Sequence, residues 1–168
     1  MTAKIIKRFN LRINSSTKNI KMEIVCSTDS KYIMPTGIML LSLFESNRGE
    51  VVNVHLLHDH DSAALLDPIR AIAASYQQNI HFYLINDDIF EHFPIGLDFQ
   101  LDHVGTSFAT YYRLYLTEIL PADIDKVIYL DGDILVVDKL VKLWNTSVEN
   151  YAIAAVPDSY NNNIEHYN

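Results

Sequence analysis

Cysteine is almost missing from this chain of 168 residues: Cys26 stands alone, so no intramolecular disulfide can form, and a reducing compartment such as the cytoplasm is the simpler expectation. Glycine and proline are scarce, at five each, and no repeat or low-complexity tract is present, which excludes fibrous and linker-like classes. No apolar run is long enough to cross a bilayer; the longest, residues 32–44, is interrupted by Pro35 and Gly37. No apolar core follows the first basic residues, so the N-terminus does not read as a secretory signal. Acids are missing from residues 1–21, which carry Lys4, Lys7, Arg8, Arg12, Lys18 and Lys21, a segment charge of +6. The remainder holds seven basic against 21 acidic residues, a net of −14, which argues against nucleic acid as a partner.

Two regions follow. Residues 1–21 read as a disordered basic tail whose charge could touch anionic headgroups, giving peripheral contact with a membrane. Met22, just before the first strand-like run, could serve as an alternative start. Residues 22–168 read as one domain, in which strand and helix patterns alternate. Strands are expected at 23–28, 51–57, 79–85, 126–131 and 151–158, with a further extended piece at 134–137. Helices are expected at 32–47, 62–78 (capped by Asp61), 107–120 and 138–147, and an irregular aromatic loop at 89–105. That order predicts an α/β fold with a mostly parallel sheet flanked by helices. Ligands of such sheets bind beyond the carboxyl ends of strands, which here end near Asp29, Asp59, Asp87 and Asp131.

The densest chemistry is IYLDGDILVV at 128–137. Asp131 and Asp133 are two residues apart and point alike in an extended chain, with Gly132 between them to relax the backbone. Two hard carboxylates suit Mg2+ or Mn2+ with room left for phosphate oxygens and water. A plain Asp-Gly turn is the competing reading. The tract His58-Asp59-His60-Asp61 resembles a metal motif but reads better as a solvated loop before a helix. Asp87-Asp88 reads as a strand-ending turn, and Cys26 and Trp144 as core. A phosphohydrolase of the haloacid-dehalogenase type also uses strand-Asp-x-Asp, but that motif normally lies near the N-terminus and needs a later Lys and acidic pair.

Taken together, MEIVCSTDSKY (22–32), TYYRLYL (110–116) and DKVIYLDGDILV (125–136) resemble glycosyltransferase family eight. These are retaining enzymes that include lipopolysaccharide galactosyl- and glucosyltransferases and glycogenin. The resemblance implies a nucleotide-diphospho-sugar transferase (GT-A-like) fold, here incomplete at its C-terminus. It implies a UDP-sugar donor held by Ser27, Thr28, Asp29, Ser30, Lys31 and Tyr32, with Asp29 on the uracil or ribose and Tyr32 against the base. Arg113 would meet the donor sugar or its phosphates, Asp131 and Gly132 would line the nucleotide, and Asp131 and Asp133 would hold Mn2+ or Mg2+. Lys31 departs from the family, where Asn is frequent. The implied acceptor is a saccharide or glycolipid, with lipopolysaccharide as one case, and no covalent nucleophile is assigned. The family's domain continues beyond this length and supplies a later metal-binding His, so a truncated remnant that at most binds nucleotide is the rival reading.

Overall fold

The computed structural model describes residues 4–7, 21–60, 62–93 and 107–156. The strands are β1 (Lys4–Lys7), β2 (Lys21–Thr28), β3 (Val51–His58), β4 (Asn79–Leu84), β5 (Lys126–Tyr129) and β6 (Ile153–Ala155). The α-helices are α1 (Ile33–Ser46), α2 (Ala63–Ser75), α3 (Leu116–Ile119) and α4 (Val141–Trp144). One sheet carries all six strands in the order β4-β3-β2-β5-β1-β6. The first four are parallel; β1 runs antiparallel between β5 and β6. Four residues of the segment read above as a disordered tail are therefore a strand by backbone pairing, with Lys4 opposite Tyr129 and Lys7 opposite Lys126.

Period-two alternation separates two cores. Met22, Ile24 and Cys26 of β2, with Val52, Val54 and Leu56 of β3, face α1 and α2, where Met39, Leu40, Leu43, Phe44, Leu66 and Ile69 meet them. Val25, Leu57, Val127 and Tyr129 point to the opposite side and meet Phe90, Ala109, Tyr112 and Leu116. Burial on both faces is why these strands read as nearly continuous apolar runs. Cys26 is fully buried, and burial pushes its thiol up to about 12, so it stays protonated and inert at neutral pH. Trp144 packs against the helix-side core, as expected.

Several expectations needed correction. Residues 107–120 are not one α-helix: they form 3-10 turns at Phe108–Thr110 and Tyr112–Tyr115 and then the short α3. Bulky aromatics crowd this stretch, and Phe90 takes ring contacts from Phe108, Tyr111, Tyr112 and Tyr115. Residues 134–137 form no strand among the described residues; they run along α1, where Ser42 Oγ accepts from Val136 N and Ser46 Oγ donates to Val136 O. The histidines of the 58–61 tract are not solvated, since His58 and the His60 side chain are both buried. Asp61, expected to cap α2, lies outside the described residues, as does His103. Pro68 sits inside α2 on its exposed side, where the carbonyl deprived of a partner can turn to water.

Below the second core lies a polar network. The Glu23 carboxylate accepts from Asn53 Nδ2 at 2.8 Å and His55 Nε2 at 2.9 Å, and pairs with Lys21 Nζ at 3.1 Å. His55 Nδ1 lies 2.8 Å from Tyr83 Oη. Burial opposes the charge on Glu23, but these partners outweigh it and hold the carboxyl below its ordinary value of 4.5. A lowered folded-state value stabilises the fold above about pH 4.5, and the benefit is lost as pH falls through the folded value. Thermal unfolding of wild type and Glu23→Gln should therefore show the wild type more stable at pH 7 and the two converging toward pH ~3. A gap that stayed constant with pH would contradict this.

Candidate functional site

The chain runs from β2 outward through β3 and β4, then returns to place β5 on the other side of β2. Loops leaving β2 and β5 diverge at this reversal, and a crevice opens beyond the strands' carboxyl ends. A cleft of about 260 Å³ lies there, lined by Ser27, Thr28, Asp29 and Tyr32 from the β2 side and Asp131, Gly132 and Asp133 from the β5 side. Ser107, Ala109, Thr110 and Arg113 complete it. Ser30 and Lys31 are exposed in the turn after β2 and do not line the cleft.

Asp29 is nearly buried, and its Oδ1 accepts from the backbone N–H of Lys31 at 2.8 Å and of Tyr32 at 3.0 Å. This Asx turn starts α1 and fixes the loop, leaving Oδ2 as the oxygen that Asp29 has to offer a ligand. Tyr32 is partly exposed at the head of α1 and lines the cleft. Opposite, Arg113 Nη2 donates to Asp131 Oδ1 at 2.7 Å, Nε donates to Thr110 O at 2.9 Å, and the guanidinium lies over the Tyr129 ring, 4.5 Å from its centroid. Tyr129 Oη is 2.6 Å from Ser27 Oγ. Burial pushes the Tyr129 hydroxyl up to about 12, against the opposing pull of Arg113 and the Ser27 bond, so the ring is neutral at physiological pH.

Gly132 has a more specific role than backbone freedom. Among the described glycines only Gly49 has a positive φ. A Cβ on Gly132 would stand 2.5 Å from Thr36 Oγ1 and 3.3 Å from the Ser27 carbonyl oxygen. Thr36 is fully buried and donates its hydroxyl to Thr28 Oγ1 at 3.1 Å. The missing side chain thus lets the 131–133 turn sit directly on the start of α1.

Asp131 and Asp133 both face the cleft, the first partly buried and the second exposed. Two carboxylates fit a hard divalent cation such as Mg2+ or Mn2+. No group of three or more His, Cys, Asp or Glu able to hold a metal occurs among the described residues, so phosphate oxygens and water would have to complete the shell. Asp59 and Asp87, the other two strand-end acids, line a neighbouring depression instead. Burial raises the Asp59 carboxyl, and the charges of Asp87 and Asp29 add to this against His60. Tyr112 donates its hydroxyl to Asp87 Oδ1 at 2.5 Å, and burial together with that carboxylate raises its pKa.

Sequence reasoning missed Ser107, Thr110 and Thr36. The first two carry a signal: 107, 110 and 113 are three apart, and in a 3-10 segment residues at that spacing align on one face. Thr36 gives none, because a threonine in a helix's first turn is ordinary.

The sequence model of Glycosyl transferase family 8 matches residues 23–168, spanning β2, the Arg113 segment and the Asp131–Asp133 turn. The chain belongs to that family. A Haemophilus influenzae protein assigned as a glycosyltransferase is 30% identical over 139 residues, covering 83% of this chain and 40% of that protein. The Escherichia coli lipopolysaccharide glucosyltransferase WaaO is 27% identical over 143 residues, covering 83% and 39% respectively. Among solved structures, the galactosyltransferase LgtC in complex with donor and acceptor sugar analogs aligns with TM-score 0.62 and 33% identity, over 75% of this chain and 43% of that one. The fold is thus that of the nucleotide-sugar transferases, and the chain spans about two fifths of the length of these family members.

A packing test follows from Gly132. Gly132→Ala should cost about 1–3 kcal/mol of stability through overpacking against Thr36. Adding Thr36→Ala should return part of that loss, read as a non-additive shift in urea midpoint. Strictly additive effects would show that Thr36 is not what the glycine accommodates.

Proposed function

We propose that this chain forms the donor-nucleotide site of a metal-dependent transferase that moves a hexosyl group from a UDP-sugar to a saccharide or glycolipid acceptor with retention of configuration. The supporting observation is the cleft at the β2/β5 reversal, where Asp29 and Tyr32 stand on one side and Arg113, Asp131 and Asp133 on the other. Asp29 Oδ2 would accept from uracil N–H or a ribose hydroxyl, and the Tyr32 ring offers a face for the base. Arg113 is the cation that can donate two directed bonds to a diphosphate or sugar hydroxyl. A divalent cation held by Asp131 and Asp133 would neutralise the charge that develops on the leaving nucleoside diphosphate. Thr28 and Thr36 hold the loop that carries Asp29, and Ser27 holds the Tyr129 ring beneath Arg113.

The likeness to WaaO and LgtC supports a saccharide acceptor, with lipopolysaccharide as one form of it. No helix among the described residues is long and apolar enough to cross a membrane, and contact with a bilayer through the basic residues 1–21 belongs to this proposal. A second reading is that this stretch, which spans about two fifths of the length of its relatives, binds nucleotide by itself without turnover. Release of free sugar from a UDP-hexose, measured at saturating Mn2+, separates the two.

Binding itself is tested by thermal unfolding with and without UDP, each with and without Mn2+. At ligand about 100-fold above its dissociation constant, binding adds about 2.7 kcal/mol to the folded state. The expected result is stabilisation by UDP that requires Mn2+ and is lost in Asp131→Asn. Stabilisation by UDP that persisted in Asp131→Asn without metal would refute the assigned role of that carboxylate.

A further inference from the structure

Arg113 already occupies the carboxylate that a metal ion would need. Its Nη2 bonds Asp131 Oδ1 at 2.7 Å, and its guanidinium is steadied by the Thr110 carbonyl at 2.9 Å and by the face of Tyr129 at 4.5 Å. Neither of those supports belongs to a ligand. Tyr129 is fully buried and tied to Ser27 at 2.6 Å, so the platform under the guanidinium stays in place whatever enters the cleft. The Nη2–Asp131 bond is the one contact of the three made between charges at the cleft surface, with Arg113 and Asp131 side chains 20% and 26% exposed.

Charge decides what this arrangement does. Asp29, Asp131 and Asp133 against Arg113 give the cleft a formal net charge of −2, but Asp29 is engaged by the backbone N–H groups of Lys31 and Tyr32 and Asp131 by Arg113, so among the described residues a lone dication finds only Asp133 without a partner of its own. A nucleoside diphosphate adds enough negative charge to need both the dication and the guanidinium. We propose that Arg113 is an exchangeable counter-ion: it neutralises Asp131 while the cleft is empty and passes to the diphosphate when nucleotide and metal arrive together. The consequence is ordered binding, in which the metal is held poorly without nucleotide. This inference rests on the donor-site reading above and adds to it a second, opposing role for the same side chain.

The two roles have opposite signs in one variant. In Arg113→Gln, Mn2+ alone should bind about tenfold tighter or more, because a positive charge next to Asp131 is gone. UDP at saturating Mn2+ should bind about tenfold weaker or more, because charge-assisted bonds to the diphosphate are lost. Free Mn2+ counted by electron paramagnetic resonance reads the first quantity and calorimetry the second, both on the full chain. Arg113→Lys should leave the Mn2+-alone affinity near wild type, and Asp131→Asn placed on Arg113→Gln should abolish the gain. A residue that merely supported the fold would weaken both affinities together. Unchanged or weaker binding of Mn2+ by Arg113→Gln, including no measurable binding by either protein, overturns the exchange while normal UDP binding by wild type keeps the donor-site reading. Failure of wild type to bind UDP with Mn2+ removes both.

Discussion

The site depends on a short stretch of backbone pairing at the point where the sheet reverses. Ile24 registers with Ile128 and Val25 with Tyr129, and Leu130 N donates to Val25 O at 2.8 Å just beyond the ladder. Parallel pairing at these residues brings the end of β2 and the end of β5 to the same height. The turn carrying Asp29 and the turn carrying Asp131 and Asp133 are about 100 residues apart in sequence, yet become opposite walls of one cleft. Gly132 closes the last gap, since only a residue without a side chain lets the second turn rest on Thr36. Ser27, two residues beyond Val25 on β2, and Tyr129, the last residue of β5, then bond across the reversal. A shift of one residue in this register would put Tyr129 on the helix side of the sheet and remove the platform from under Arg113.

Much of this was legible beforehand because the governing patterns are local. Alternating and continuous apolar runs mark β2 to β5, and the polar residues after them mark the end of the sheet where ligands gather. Asp29, Arg113, Asp131 and Asp133 could be picked out and do share one cleft. What escaped was set by tertiary context. The four residues of β1 lie inside a strongly basic stretch, and nothing in so short a run says that a neighbouring edge will pair with it. The 107–120 segment has helical composition, but its aromatics pack around Phe90 and tighten the chain into 3-10 turns. His58 and the His60 side chain sit in a polar tract yet are buried, an outcome that packing rather than composition decides. Ser30 and Lys31 are neighbours of cleft residues and still point away, because Asp29 folds the chain back on itself there.

Charge is distributed with the same logic. Carboxylates end four adjacent parallel strands, but they are handled differently. Asp87 is bonded to Tyr112, and Asp59 is held near His60 in a setting that favours its protonated form. Asp131 is paired with Arg113 at the cleft surface, and Asp133 is left to solvent. The cleft therefore offers hard oxygen ligands, a planar cation and an aromatic face within one small volume, the set that a nucleotide diphosphate with its metal requires.

The most direct test of that claim is to map where metal and nucleotide sit together. In amide NMR spectra of the full chain, Mn2+ added with UDP should broaden residues 27–32, 110–113 and 129–133 by paramagnetic relaxation. The groove between Arg48 and Gln78 at the opposite end of the sheet should stay sharp. Broadening centred on that groove, or on Asp59 and Asp87, would contradict the placement of the donor site at the β2/β5 reversal.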